Sequence, residues 1–292
     1  MTPAEYCEQK VRPRGSTFYY SSLFLPLEKR EAVTSLHAYC REVGEVTDEC
    51  HEPAVARIKL EWWRQEIDNT FRGKPTHPIC KALVSTVHTY GMPKDHFLEF
   101  IDGVEMDLNQ GRYNTFGELT SYCQRVGAVM GLLSTPILEY TDPTTLQCAR
   151  ELGIALQLTE ILLDVRKHAR RNHVYIPIED LTRFDVPVAD IMNGIETSNF
   201  RSLIAFEMER IEHHYACAIE RLPKNDRLRQ LPALIMAAIY RATLDEVRKD
   251  GYRILNHSIA LTPVRKFWIA YKTRRQERRL NKRHVPGSVR VC

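Results

Sequence analysis

The sequence predicts an all-α protein, a single bundle of about eight to ten helices. Three observations predict it. Apolar residues recur at helical spacing almost from end to end, and alternating β-branched runs are nearly absent. Gly (13) and Pro (15) fall mostly between the periodic segments rather than inside them. The 292 residues, 43% hydrophobic and 27% charged, suit one globular body with a sizeable core and exclude disordered or fibrous chains.

Taken in order, helix starts are expected at Pro26-Leu27-Glu28, Glu52-Pro53, Met92-Pro93-Lys94-Asp95, Thr115-Phe116 and Thr141-Asp142-Pro143. Each sets a capping residue, or a proline suited to the first turn, ahead of an apolar repeat. Asn172 to Pro187 holds two prolines and reads as a loop with one short helix. Two long helices follow, near Asn199–Leu222 and Asp226–Asp250, and a last one near Pro263–Arg283. Neither a repeat of solenoid period nor a Ser/Gly linker divides the chain.

Charge divides it instead. Residues 265–292 carry ten Lys/Arg and one acid, Glu277, for a net +9, so the overall +4 leaves residues 1–264 at −5. The expected organisation is therefore a helical domain, 1–264, followed by a basic amphipathic helix and tail, 265–292. An acidic body argues against a nucleic-acid surface, and the tail points to a local anionic partner. In the tail, Lys266-Phe267-Trp268-Ile269-Ala270-Tyr271-Lys272 interleaves aromatic and basic residues, which suits either an interfacial helix or a helix packed on the domain by Phe267 and Trp268 with a frayed basic end. No apolar run approaches a membrane span. The start lacks a secretory pattern, and eight cysteines without a C-x-x-C pair suit a reducing compartment. A cytoplasmic protein, peripheral at the inner face of a membrane, is expected.

Two polar stripes carry candidate chemistry. Arg41, Glu45 and Asp48 lie at i, i+4 and i+7, where two carboxylates and an arginine can hold a hard cation or orient a diphosphate. The same spacing also describes a solvated helix face with one ion pair. Gln157, Glu160, Asp164 and His168 repeat every three or four residues on an otherwise apolar helix. Facing stripes would make an interhelical site, whereas a lone stripe is an ordinary amphipathic helix. Arg170, Arg171, His173 and Tyr175 follow and suit phosphate oxygens. Glu209 and His213 form a weaker metal pair. The chain has no G-x-G-x-x-G, Walker A or G-x-S-x-G motif, so no nucleotide cofactor is expected.

Longer stretches carry a resemblance. They include Ser16-Thr17-Phe18-Tyr19-Tyr20, Ala38-Tyr39-Cys40-Arg41-Glu42-Val43, Glu61-Trp62-Trp63-Arg64-Gln65-Glu66 and Met106-Asp107-Leu108 with Arg112-Tyr113. Tyr122-Cys123, Gln157-Leu158-Thr159, Ala169-Arg170-Arg171, Tyr175-Ile176-Pro177 and Met236-Ala237-Ala238-Ile239-Tyr240 continue it. From Tyr6 to about Tyr271 the chain resembles the squalene/phytoene synthase family, most closely its bacterial presqualene diphosphate synthase branch of hopanoid (squalene) pathways. The resemblance implies the isoprenoid-synthase fold, with helices around an apolar central cavity. It also implies head-to-head joining of two prenyl diphosphates of the farnesyl class, ionised by Mg²⁺ held on two D-x-x-x-D motifs. Other enzymes of the isoprenoid pathway would be its partners.

Carried over position by position, the resemblance assigns catalysis to Tyr122, Tyr240 and Arg41. Substrate binding falls to Thr17, Phe18, Arg41, Gln157, Arg170, Arg171 and Tyr175, and metal binding to Glu45, Asp48, Glu160 and Asp164. Departures from the pattern cluster here: His37 for a tyrosine, Gly44 for an aspartate, Leu163 for an arginine, Arg166 for a glycine, Lys167 for a glutamate and His168 for an aspartate. Glu160 itself replaces an asparagine. Across positions 44, 45, 48, 164, 167 and 168 the family pattern carries about −6, and this chain carries −2. Three readings follow. The first is a prenyltransferase with a depleted Mg²⁺ site and weak or lost activity. The second is a non-catalytic prenyl-diphosphate-binding or scaffold protein, with Arg166, Lys167, His168 and Arg170 meeting diphosphate directly. The third is a transition-metal site on Glu160, Asp164 and His168, with Glu45 and Asp48 opposite.

Overall fold

The computed structural model describes residues 1–11, 16–50 and 52–284. Residues 285–292 of the basic tail lie outside the described residues. Among the described residues there are fifteen α-helices and no β-strand, only an isolated bridge between Arg112 and Val174. The amino-terminal half comprises α1 (Pro3–Val11), α2 (Thr17–Ser22), α3 (Leu27–Glu49), α4 (Pro53–Phe71), α5 (Pro78–Thr89) and α6 (Lys94–Asn109). Next come α7 (Phe116–Cys123), a π-helical turn (Gln124–Ala128), α8 (Val129–Leu138), α9 (Thr144–Leu163) and α10 (Val165–Ala169). The remainder is α11 (Ile178–Arg183), α12 (Val188–Asn193), α13 (Ser198–Arg221), α14 (Leu231–Lys249) and α15 (Pro263–His284). Eight of these run twelve residues or longer.

Several starts follow the local signals. Thr115 caps α7 by accepting from the Glu118 N–H at 3.2 Å, and the Glu118 carboxylate accepts from the Asn114 N–H at 2.7 Å. Pro53 opens α4 at a position where its missing N–H costs nothing. The expected helix from Asp226 is corrected: α14 begins at Leu231. Asp226 is occupied elsewhere. Its buried carboxylate accepts from the Thr141 and Asp142 N–H groups and the Thr141 and Thr145 hydroxyls, at 2.7–3.0 Å. It thus satisfies the start of α9 from far along the chain.

The apolar side chains gather into two main clusters. One is built by α1, α3, α4, α5, α6 and α8, the other by α7 and α9 to α14. The two meet where α9 crosses the π-helical turn and α8. Gly127 and Gly153 make that crossing close: a Cβ on either would overlap the carbonyl oxygen of the other. The approach sets the register of α9 against α8 and holds the polar stripe of α9 toward the interior. A smaller cluster, with Tyr20, Ile235, Ile239 and Ala270, docks α15 onto α14 and α2. Buried Glu277 anchors it further, accepting from Arg227 Nε at 2.7 Å and Nη2 at 2.8 Å. No helix among the described residues is long and apolar enough to cross a membrane.

Candidate active site

Between the two clusters lies a cavity of about 710 Å³, walled by α3, α8, α9, α13 and α14. Its deeper lining is apolar, with Val104, Val126, Met130, Leu152, Leu156 and Leu234. Its polar end gathers both stripes expected from the sequence: Arg41, Gly44, Glu45 and Asp48 from α3 face Gln157, Glu160, Asp164, Lys167 and His168. The second stripe survives a break in the helix. Asp164 ends α9, yet the bonds from the Asp164 N–H to Glu160 O (2.9 Å) and from the His168 N–H to Asp164 O (3.0 Å) carry the face into α10. Phe18, His37, Tyr122, Leu163, Tyr175 and Tyr240 also line the cavity. Thr17, Arg166, Arg170 and Arg171 do not. Arg166 turns away to donate to Met192 O at 3.1 Å, and Arg170 is exposed.

The carboxylates are engaged by this chain's own donors. Glu45 pairs with Arg41 Nε at 2.9 Å and with Lys10. Partial burial pushes the Glu45 carboxyl up, but hydrogen bonds from Lys10 and Arg41 outweigh it and hold the group low. Asp48 pairs with Arg171, and Lys167 Nζ lies 4.0 Å from it; the same Nζ is 3.5 Å from Asp164. Glu160 accepts from the Tyr240 hydroxyl at 2.6 Å, and its surroundings of protein raise its carboxyl despite that bond. Lys10 was not foreseen: it stands on α1, 35 residues from Glu45, with no local signal.

The two histidines that replace family residues are neutral. Burial holds His37 down at about 3, its ring 3.9 Å from that of Phe18. Burial likewise holds His168 down at about 4, and its Nδ1 has no hydrogen-bond partner. The His168 ring meets Tyr175 edge-on at 4.8 Å.

A second polar group lies under the site, on segments whose sequence carries only the family resemblance. The segment around Arg112 is tied to that around Val174: the Val174 N–H donates to Gly111 O at 3.2 Å and the Ile178 N–H to Tyr113 O at 2.9 Å. This stacks Tyr113 on Tyr175 (5.6 Å) and brings both beside Tyr122. Tyr122 donates to Asp107 Oδ2 at 3.1 Å, while Asp107 Oδ1 is buried without a partner. Burial pushes the Asp107 carboxyl up to about 7, and hydrogen bonding from Tyr175 and Tyr122 draws it back only in part.

Among the described residues, no group of three or more His, Cys, Asp or Glu side chains converges to hold a metal ion. Glu209 and His213 gain no third ligand, and Glu160, Asp164 and His168 do not converge either. As arranged, the site does not fit a cluster of divalent ions. Glu45, Asp48 and Asp164 are each already paired with a cation of this chain, from Lys10 (shared with Glu42 at 2.6 Å), Arg41, Lys167 and Arg171.

A family model described as squalene/phytoene synthase matches residues 11–268. Phytoene synthase from Arthrospira platensis is 32% identical over 265 residues, 86% of either chain. The 15-cis-phytoene synthase of Synechocystis sp. is 31% identical over 264 residues, 86% of this chain and 78% of that one. A dehydrosqualene synthase solved with a ligand superposes with a TM-score of 0.83 at 25% identity, covering 95% of this chain and 97% of that one. Squalene synthase HpnC from Alicyclobacillus acidocaldarius gives 0.74 at 26%, covering 86% and 95%. The chain thus has the all-α isoprenoid-synthase fold and belongs to the squalene/phytoene synthase family, whose members join prenyl diphosphates head to head.

Proposed function

We propose that this chain binds a prenyl diphosphate of the farnesyl class and converts it to presqualene diphosphate only weakly. The apolar end of the cavity takes the hydrocarbon, each buried methylene contributing about 0.8 kcal/mol. The dry wall keeps water from the reactive carbon, and the polar end receives the diphosphate. Arg41 meets phosphate oxygens, while Tyr122 and Tyr240 present hydroxyls to the reacting end. The observation that carries the attenuation is the engagement of Glu45, Asp48 and Asp164 by lysine and arginine. Neutralised carboxylates have little charge left for divalent ions, so no step is assigned to a metal here.

The test is incubation of the purified protein with farnesyl diphosphate, with and without Mg²⁺, read by calorimetric binding and by extraction of product. Binding with a trace of presqualene diphosphate is expected. Failure to bind would sink the reading. Turnover at a rate ordinary for enzymes, on the order of 1 s⁻¹ or more and abolished by EDTA, would refute the attenuation. Binding with no product at all favours the scaffold reading, in which the protein presents bound diphosphate to another enzyme of the pathway.

Contact with an anionic lipid surface is part of the same proposal. Its support is the outer face of α15: Val264 (67% exposed), Phe267 (46%), Trp268 (61%) and Tyr271 (43%) follow at i, i+3, i+4 and i+7. Exposed Arg275, Arg278, Arg279 and Lys282 continue that face. Deleting α15 would also strip buried Ala270 and Glu277, so substitution is the cleaner probe. Phe267→Ser with Trp268→Ser should lower co-sedimentation with anionic vesicles about tenfold, leaving the fold intact. Raising salt should release the parent protein. Binding indifferent to both changes would remove lipid contact from the proposal.

A further inference from the structure

Lys167 stands between the two acidic segments. Its ammonium lies 4.0 Å from Asp48 Oδ2 on α3 and 3.5 Å from Asp164 Oδ2 at the α9–α10 break. One organic cation therefore spans a carboxylate from each side of the cavity mouth. Arg171 reinforces it on Asp48, while Arg41 and Lys10 do the same for Glu45. Lys10 is shared with Glu42 at 2.6 Å, so the cations left to the mouth itself are Lys167, Arg41 and Arg171, set against Glu45, Asp48 and Asp164.

That charge state selects the class of ligand. A cluster of divalent ions needs free carboxylates to offset its self-repulsion, and here Glu45, Asp48 and Asp164 each already hold a cation of this chain. A diphosphate needs the reverse. Lys167, Arg41 and Arg171 are all exposed, and exposed ion pairs are weak enough to exchange a carboxylate for a phosphate oxygen. Ammonium donors on a flexible stem and planar guanidinium forks suit phosphate oxygens. His168 adds a buried ring nitrogen, Nδ1, with no hydrogen-bond partner, and its ring lines the same cavity. Arg166 is directed to Met192 O and Arg170 is exposed, outside the lining; Arg171 also lies outside the lining but reaches the mouth through its pair with Asp48.

We infer that Lys167, flanked by Arg41 and Arg171, serves as a built-in counter-cation and lets this chain bind diphosphate without a divalent ion. The inference rests on the prenyl-diphosphate reading above and deepens it.

The experiment is calorimetric titration with inorganic diphosphate and, separately, with farnesyl diphosphate, each in EDTA and in Mg²⁺. Both ligands should bind in EDTA, with added Mg²⁺ changing Kd by less than about threefold. Lys167→Gln should weaken binding in EDTA about tenfold or more without rescue by Mg²⁺, and Lys167→Arg should hold within about threefold of the parent. Binding of either ligand that requires Mg²⁺, or a Lys167→Gln protein that binds like the parent in EDTA, overturns the inference and leaves the prenyl-diphosphate reading standing. No binding of farnesyl diphosphate in either condition overturns both. Lys167 is exposed, and circular dichroism of each variant separates loss of binding from loss of fold.

Discussion

A chain carrying Gly44→Asp, Lys167→Glu and His168→Asp together should convert farnesyl diphosphate in Mg²⁺ at least about 100-fold faster than the parent, a gain of about 2.7 kcal/mol in the barrier. The three changes lower the formal charge at the mouth by four. Glu at 167 removes the ammonium now lying against Asp48 and Asp164, so Asp164 is released and a carboxylate is added, while Asp48 keeps Arg171. Sterically the leading position is open: a Cβ on Gly44 would meet nothing within 4 Å, and Gly44 lines the cavity. His168→Asp exchanges a neutral ring for an oxygen ligand, the kind Mg²⁺ prefers. Single changes should give much less, because ligands that act as one cluster are not additive. EDTA should abolish the gain. If the triple variant folds and binds farnesyl diphosphate but gains no rate, charge at the mouth is not what limits the chemistry. Attention would then pass to His37 and Leu163, the other departures on the cavity wall.

What could be read from the chain follows the range of the forces involved. The start of α7 was legible because Thr115, Glu118 and Asn114 satisfy one another within five residues. The pairing of Arg41 with Glu45 was legible for the same reason, since neighbours on one helix face need no tertiary information, whereas only the packing of α15 shows that Phe267 and Trp268 face outward. The true start of α14 was not legible: Asp226 is taken by Thr141 and Thr145, more than 80 residues earlier. The close crossing of the π-helical turn and α9 likewise depends on Gly127 meeting Gly153 across two segments. At the site, both stripes were found by spacing, but their neutralisation was not. Lys10 arrives from α1, and Arg171 pairs with Asp48 instead of lining the cavity. Asp107 lies in a stretch that carries the family resemblance, yet nothing in that stretch marks it until Tyr113, Tyr122 and Tyr175 gather around it.

Asp107 also makes a pH-dependent demand on the fold. In the unfolded chain its carboxyl ionises near its ordinary value of 3.8, and in the folded protein burial raises it to about 7. Between those values the folded state holds a proton that the unfolded state has released. The stability tied to this group is therefore fully present below about pH 4, is lost as pH climbs to about 7, and changes no further above that. Three pH units at 1.36 kcal/mol each set an upper bound of about 4 kcal/mol. The effective dielectric of real protein sites is well above the dry-interior limit, so roughly 2–3 kcal/mol is expected. Asp107→Asn cannot ionise and still offers an oxygen to the Tyr122 hydroxyl. Its melting temperature should pull ahead of the parent's as pH rises, by about 5 °C or more at pH 8 relative to pH 4. His37 and His168 titrate identically in both proteins and cancel from the comparison. Thermal unfolding of the pair across that range decides the matter: parallel curves would mean that Asp107 is ionised throughout and that its unpartnered oxygen is solvated after all.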